Sequence, residues 1–197
     1  MAEENIRKIL IIGESGVGKT SLFIRYFRDE FITDPSKQIP TIGVDCANRK
    51  IKIGENEILL QVWDTAGNHA FMLIVDTFYR GVEGIILCYD ITSRESFFEL
   101  EVWTNKIKEK ADKNAIVYLV GTKLDEEHRR EVPLEEVQDF AKAHDFKHFE
   151  TSSKESLNIE NVFESMAKEV IIKRIAKGIM LSDVKKDPKK ERKNKCC

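Results

Sequence analysis

At 197 residues, 42% of them apolar and 34% charged, the chain is long enough and apolar enough for one domain with its own core, and its composition is not that of a disordered protein. No apolar run approaches the roughly 18 residues of a membrane span, and residues 1–5 lack the basic start and apolar stretch of a signal peptide, so neither a membrane-spanning nor a secreted chain is expected. The net charge of −2 argues against a nucleic-acid partner, but it averages two unlike parts: seven basic and three acidic side chains give residues 183–197 a charge of +4, leaving −6 for the residues before them.

Taken in order, the predicted elements alternate. Lys8-Ile9-Leu10-Ile11-Ile12 is a β-branched run that stops at Gly13, the pattern of a strand covered on both faces. Residues 22–31, of mixed polarity, read as a helix. Residues 47–53 and 57–63 flank Gly54-Glu55-Asn56 as a hairpin. Gly84-Ile85-Ile86-Leu87-Cys88-Tyr89 and Ala115-Ile116-Val117-Tyr118-Leu119-Val120 are two further buried strands, and between them Phe97, Leu100, Trp103 or Thr104, and Ile107 recur at helical spacing. Pro133 suits the first turn of a helix over 134–144. A short strand over 149–151 precedes a helix with Ile159, Val162, Phe163, Met166 and Val170 on one face. Strands alternating with helices predict an α/β layered sheet, made mixed by the hairpin. Residues 183–197 carry almost no apolar side chain and read as a disordered tail.

Gly13-Glu14-Ser15-Gly16-Val17-Gly18-Lys19-Thr20 fits G-x-x-x-x-G-K-[ST] between a predicted strand and a predicted helix. Its glycines let backbone N–H groups turn inward onto phosphate oxygens, and the helix N-terminus adds partial positive charge. Lys19 supplies a cation for the β- and γ-phosphates, and the Thr20 hydroxyl a ligand for Mg²⁺. The motif alone separates neither ATP from GTP nor a kinase from a switch.

Further segments carry a resemblance. Trp63-Asp64-Thr65-Ala66-Gly67 resembles the second phosphate-sensing motif of the Ras superfamily of small GTPases, Gly121-Thr122-Lys123-Leu124-Asp125 its guanine-reading N-K-x-D, and Glu150-Thr151-Ser152-Ser153-Lys154 its E-T-S-A-K. Ile42-Gly43-Val44-Asp45, Phe78-Tyr79-Arg80-Gly81 and Leu87-Cys88-Tyr89-Asp90-Ile91-Thr92 resemble the Rab branch, as does the final Cys196-Cys197. The likeness covers about residues 6–175 and the terminus. It implies a three-layer P-loop GTPase domain over 1–180, with a mixed, mostly parallel six-stranded sheet and helices on both faces, followed by a basic tail over 181–197.

The resemblance also implies roles. Gly13, Ser15, Gly16, Val17, Gly18, Lys19, Thr20 and Ser21 would hold the phosphates of GTP or GDP. Thr20, Thr41 and Asp64 would hold Mg²⁺, with Thr41 and the Gly67 N–H also meeting the γ-phosphate. Asp125 would accept from guanine N1–H and its amino group, a pair that adenine lacks. Lys123 and Phe31 would cover the two faces of the base, and the Ser153 N–H, flanked by Ser152 and Lys154, would meet O6. Lys19, Thr41 and Asn68 would serve hydrolysis. Effectors on the switch loops, an exchange factor, a GTPase-activating protein, the Rab escort protein and a GDP-dissociation inhibitor are the implied partners of a monomer. Phe31, Trp63 and Phe78 also suit plain packing, Cys88 suits a buried small hydrophobe, and the four histidines show no ligand spacing.

Three positions depart from the family. Asn68, followed by His69, stands where a Gln orients the attacking water; it is one methylene shorter, so slow intrinsic hydrolysis is expected. Thr122, at a nucleotide-contacting position, replaces an Asn that in the family contacts the guanine and ties its loop to the phosphate loop, so weaker binding and faster exchange are expected at about 1 kcal/mol per lost hydrogen bond. Thr20 to Thr41 spans 21 positions, three more than the family pattern, and Cys46 replaces a Phe, so unusual partner surfaces are expected. The ending is not C-a-a-X, so double geranylgeranylation of Cys196 and Cys197 is expected, holding the chain on the cytoplasmic side of an intracellular membrane beside a soluble pool. The rival reading is a GTP-loaded interaction scaffold without useful hydrolysis. An ATP-dependent kinase leaves Asp125 and residues 151–153 without a role.

Overall fold

The structure, a computed structural model, describes residues 6–34, 36, 40–54, 56–67 and 76–176. Asn68, His69, Pro35, residues 37–39, and the tail with Cys196 and Cys197 lie outside the described residues.

The elements are β1 (Ile6–Gly13), α1 (Lys19–Arg28), β2 (Val44–Ile53), β3 (Asn56–Thr65), a 3₁₀ turn (Thr77–Tyr79), β4 (Gly84–Asp90), α2 (Arg94–Phe98), α3 (Leu100–Lys110), β5 (Ile116–Thr122), a second 3₁₀ stretch (Leu124–Arg129), α4 (Leu134–Ala143), β6 (Lys147–Glu150) and α5 (Ile159–Ala176). The six strands form one sheet in the order β2-β3-β1-β4-β5-β6. β2 pairs antiparallel with β3, from Val44 opposite Thr65 to Ile53 opposite Asn56, as the hairpin reading requires, and every other pair is parallel.

Period-two alternation splits the apolar strand residues between two layers. Ile9 and Ile11 of β1, Ile86 and Cys88 of β4, and Tyr118 and Val120 of β5 pack with α1 and α5. Leu10 and Ile12, Ile85, Leu87 and Tyr89, and Leu119 pack with α2, α3 and α4. Residues of β1, β4 and β5 are therefore buried on both faces, and their sequences read as continuous apolar runs for that reason. The anticipated face of α5, with Ile159, Val162, Phe163, Met166 and Val170, is buried, and Ala167 and Ile171 extend it.

Boundaries differ from the sequence reading in instructive ways. The first helix begins at Lys19 and ends at Arg28, because Asp29 turns left-handed (φ 54°) and its N–H closes on the Arg25 carbonyl. Phe31 therefore lies beyond the helix. Phe97 and Leu100 fall on two helices, since Ser93 caps α2 through the Ser96 N–H and a new helix starts after Glu99. Pro133 is extended (ψ 136°) and precedes α4 instead of forming its first turn. The last strand runs over Lys147–Glu150, two residues earlier than the reading of 149–151.

Register brings the chemistry to one edge. Ile11 lies opposite Asp64, Gly13 opposite Cys88, Asp90 opposite Thr122, and Gly121 opposite Glu150. The carboxyl ends of β1, β3, β4, β5 and β6 thus align, and the segments after them meet in the crevice where open α/β sheets bind ligands.

Candidate nucleotide site

The segment between β1 and α1 is the centre of the site. Gly13 takes φ 137°, and a side-chain Cβ there would overlap the Cys88 carbonyl of β4, so only glycine lets the loop leave the sheet here. Gly18 ends the loop in the left-handed region (φ 95°) and supplies no side-chain cap to α1. The first turn of α1 also carries no acidic residue. Its leading N–H groups therefore face outward with the helix dipole behind them, the arrangement that receives anions. Ser15 and Gly16 are exposed on this loop, while Ser21, on α1, is partly buried.

Lys19 is 4% exposed, and its ammonium donates to the carbonyls of Gly13 (2.8 Å) and Glu14 (2.6 Å). Burial lowers its pKa, against which Cys88, Asp64 and Glu14 act. The Glu14 carboxylate accepts from the Trp103 indole N–H at 2.9 Å, which fastens the loop to α3. The Glu14–Trp103 contact is not legible in the sequence, since 89 residues separate the two.

Thr20, Thr41 and Asp64, predicted together, do converge. The Thr20 hydroxyl donates to Asp64 Oδ2 at 2.7 Å and lies 2.7 Å from the Thr41 hydroxyl. Asp64 is fully buried, and its Oδ1 has no hydrogen-bond partner among the described residues. A buried carboxylate oxygen left open beside two hydroxyls is a hard, all-oxygen donor set, and it fits Mg²⁺. Among the described residues no cluster of three or more His, Cys, Asp or Glu could hold a metal unaided, so the remaining ligands would come from phosphate and water.

Burial pushes the Asp64 carboxyl up to about 6, opposed by the Thr20 hydroxyl and Lys19, reinforced by Asp45 and opposed again by Thr41. The ordinary value is 3.8. Between these two values the unfolded chain releases the proton while the fold retains it. The metal-free fold therefore loses stability as pH rises through that window, by about 3 kcal/mol once above it. A cation bound to the ionised carboxylate offsets this cost. Mg²⁺ with nucleotide is accordingly expected to raise the melting temperature more at pH 7 than at pH 5. Equal shifts at the two pH values in thermal denaturation would contradict this account.

Gly67 follows β3 and touches the phosphate loop: a Cβ there would sit 2.5 Å from the Ser15 nitrogen and the Glu14 carbonyl carbon, and against the Lys19 ammonium. The neighbouring Ala66 N–H donates to the Gly43 carbonyl at 2.9 Å, so the segments carrying Thr41 and Gly67 are joined.

The other half of the site lies after β5 and β6. Thr122 is 2% exposed, with its hydroxyl 2.5 Å from the Val17 carbonyl and 3.0 Å from that of Tyr89. A tie to the phosphate loop is therefore kept, although Thr122 is shorter than the Asn it replaces. One hydroxyl proton serves one carbonyl at a time, so a single bond replaces what an amide could make. Lys123 adopts φ 62°, and its ammonium pairs with Asp90 at 2.5 Å. Asp125 Oδ1 accepts from the Ser152 hydroxyl at 2.6 Å, and Lys154 stands 3.7 Å from Oδ2. Thr151 and Ser152 are fully buried and Ser153 nearly so. The Thr151 N–H donates to Gly121 and the Leu124 N–H to Thr151, which stitches the two loops together. Phe31 is half-buried.

Of the other aromatic candidates, Trp63 and Phe78 are half-buried with ring centroids 4.9 Å apart, and the Lys8 ammonium lies over both rings. Cys88 is buried, as a small hydrophobe would be, and burial pushes its thiol up to about 12. Among the described residues no helix is long and apolar enough to cross a membrane.

A phosphate-loop strand and helix, a buried carboxylate with two hydroxyls, and a stitched pair of loops on the same sheet edge define the class of small P-loop nucleotide-binding domains. Comparison with known proteins narrows this. The family model described as "Ras family" matches residues 8–172. The chain is 43% identical to Ras-related protein Rab-13 of Rattus norvegicus over 172 residues, 87% of this chain and 83% of that protein. It is 43% identical to Ras-related protein RABE1d of Arabidopsis thaliana over 83% of this chain and 74% of that one, and 39% identical to GTP-binding protein ypt3 of Schizosaccharomyces pombe over 83% and 75%. The chain belongs to the Ras family of small GTPases, in its Rab branch.

Proposed function

We propose that this protein is a guanine-nucleotide switch of Rab type, which binds GTP and GDP, hydrolyses GTP slowly, and recruits partners in vesicle traffic. The observation that carries the reading is the convergence of Lys19, Thr20, Thr41 and Asp64 at one end of the crevice and of Asp125 with residues 151–153 at the other. The first group suits phosphates, and the second suits a base with two adjacent N–H donors.

In this reading the backbone of residues 13–18 and the first turn of α1 bind the phosphates, with Lys19 as their cation. Thr20, Thr41 and Asp64 would hold Mg²⁺, which would supply neutralisation of phosphate charge. Asp125 accepts from the guanine edge, the Ser153 N–H donates to O6, and Lys123 and Phe31 enclose the ring. Thr41 and Gly67 contact the γ-phosphate, so loss of that group releases both segments together through the Ala66–Gly43 bond. That change is what effectors, an activating protein and an exchange factor read. The escort protein and the GDP-dissociation inhibitor would handle prenyl groups on Cys196 and Cys197, with the basic tail against an anionic leaflet on the cytoplasmic face. Mass spectrometry of the protein from its native cell is expected to show both cysteines modified; unmodified cysteines would contradict the anchor.

Asn68 decides between the switch and a GTP-loaded scaffold. Its amide, one methylene short, leaves the attacking water poorly oriented. Single-turnover phosphate release is expected to be slow in the wild type and at least about tenfold faster in Asn68→Gln, corresponding to about 1.4 kcal/mol in barrier. An unchanged or slower rate in the variant would sink this explanation, and no release in either protein, with or without an activating protein, would favour the scaffold.

A further inference from the structure

We infer that Arg25, on the middle turn of α1, is a positioning residue of the base subsite, setting the orientation of the Ser153 peptide groups and through them the nucleotide release rate. The inference rests on the guanine-nucleotide reading above, and it concerns a residue outside the base and phosphate contacts assigned there.

The guanidinium spans two segments 128 residues apart in sequence: Nε donates to the Ser153 carbonyl at 2.7 Å and Nη2 approaches the Lys154 carbonyl at 3.4 Å. Its remaining nitrogen, Nη1, donates to the Asp29 carbonyl at 2.7 Å and to Asp29 Oδ1 at 3.0 Å. The side chain is 13% exposed; its bond to the Ser153 carbonyl is partly buried, while those to Lys154 and Asp29 lie at the surface. A planar fork used on four acceptors has one orientation, which a flexible ammonium lacks.

Ser153 is thereby held on both sides. The peptide group before it, which carries its N–H, is fixed because the Ser152 carbonyl accepts from the Leu157 N–H at 2.9 Å. The peptide group after it is fixed by Arg25. The loop is further closed by the Glu155 N–H on the Ser152 hydroxyl, the hydroxyl that also reaches Asp125. At the other end of the guanidinium, the Asp29 N–H returns to the Arg25 carbonyl, so the end of α1 and the base loop share one bracket. α1 begins at the phosphate subsite, and Arg25 lies about 7–8 Å along its axis from Thr20 at 1.5 Å per residue. One short rigid element thus sets the spacing between the phosphate and base subsites.

The test uses the full chain loaded with fluorescent N-methylanthraniloyl-GDP and chased with unlabelled GDP, in Mg²⁺ and in EDTA. Arg25→Ala is expected to speed release about tenfold in both media and to lower the GDP-over-ADP affinity ratio about tenfold, each corresponding to about 1.4 kcal/mol. Arg25→Lys, which keeps charge without the fork, is expected to fall between wild type and alanine in both readouts, and it carries the test should the alanine variant fail to fold. An unchanged release rate, an acceleration confined to Mg²⁺, or an unaltered GDP-over-ADP ratio would overturn the inference, since a residue that merely caps α1 would leave base discrimination alone. A wild-type chain that takes up no guanine nucleotide overturns the underlying function as well; normal loading with unaltered release in the variants overturns only the role of Arg25.

Discussion

Asp125→Ala is expected to lower GDP affinity by about 10²–10⁴ and to erase discrimination between guanine and adenine nucleotides, since two hydrogen bonds to a charged group contribute about 1.5–3 kcal/mol each. The carboxylate is 8% exposed, and its contacts are with Ser152 and Lys154 of the base loop, not with either apolar layer. Removing it leaves the buried Ser152 hydroxyl without its acceptor, so a stability loss of about 1–3 kcal/mol is expected beside the loss of affinity. Titration calorimetry with GDP and ADP, beside thermal denaturation, separates the two effects. A GDP affinity within tenfold of wild type would contradict the assignment of Asp125 to the base.

Gly67→Ala is expected to weaken GTP binding about 100-fold while leaving GDP within about threefold, the size of one lost charge-assisted hydrogen bond from a backbone N–H. The cause is steric. The added methyl would meet the backbone of Glu14 and Ser15 and the Lys19 ammonium, so residues 66 and 67 must withdraw from the phosphate loop. Withdrawal strains the Ala66–Gly43 bond and with it the segment that carries Thr41. The ratio of GTP to GDP dissociation constants reads this directly, and an unchanged ratio would remove Gly67 from γ-phosphate sensing.

Much of this was legible in the sequence, for physical reasons that can be named. The β-branched runs of β1, β4 and β5 announced doubly covered strands because both faces of the sheet are packed. The glycine spacing from Gly13 to Gly18 announced a tight loop between strand and helix, because the backbone conformation and the approach to Cys88 tolerate no side chain at Gly13. Thr20, Thr41 and Asp64 were grouped by resemblance; strand register sets Asp64 opposite Ile11, and Thr20 on α1 meets both Asp64 and Thr41 at 2.7 Å. What the sequence hid were contacts between segments distant in the chain. Arg25 reads as an ordinary solvated residue on a helix until its carbonyl partners on the 153–154 loop are seen. Thr122 reads as a weakened tether, because nothing in the sequence shows that its hydroxyl lies 2.5 Å from the Val17 carbonyl. The left-handed turn at Asp29 shortened a helix that mixed polarity had extended to Phe31.

The central claim is that the crevice holds a guanine nucleotide. The most direct measurement is to denature the purified full-length protein and identify what it releases by anion-exchange chromatography with mass detection. GDP or GTP at about one per chain, retained in Mg²⁺ and lost on dialysis against EDTA, is the result predicted by Asp125 at one end and by Thr20, Thr41 and Asp64 at the other. Adenine nucleotide in its place, or a protein that emerges empty and takes up neither GDP nor GTP in the presence of Mg²⁺, would contradict it.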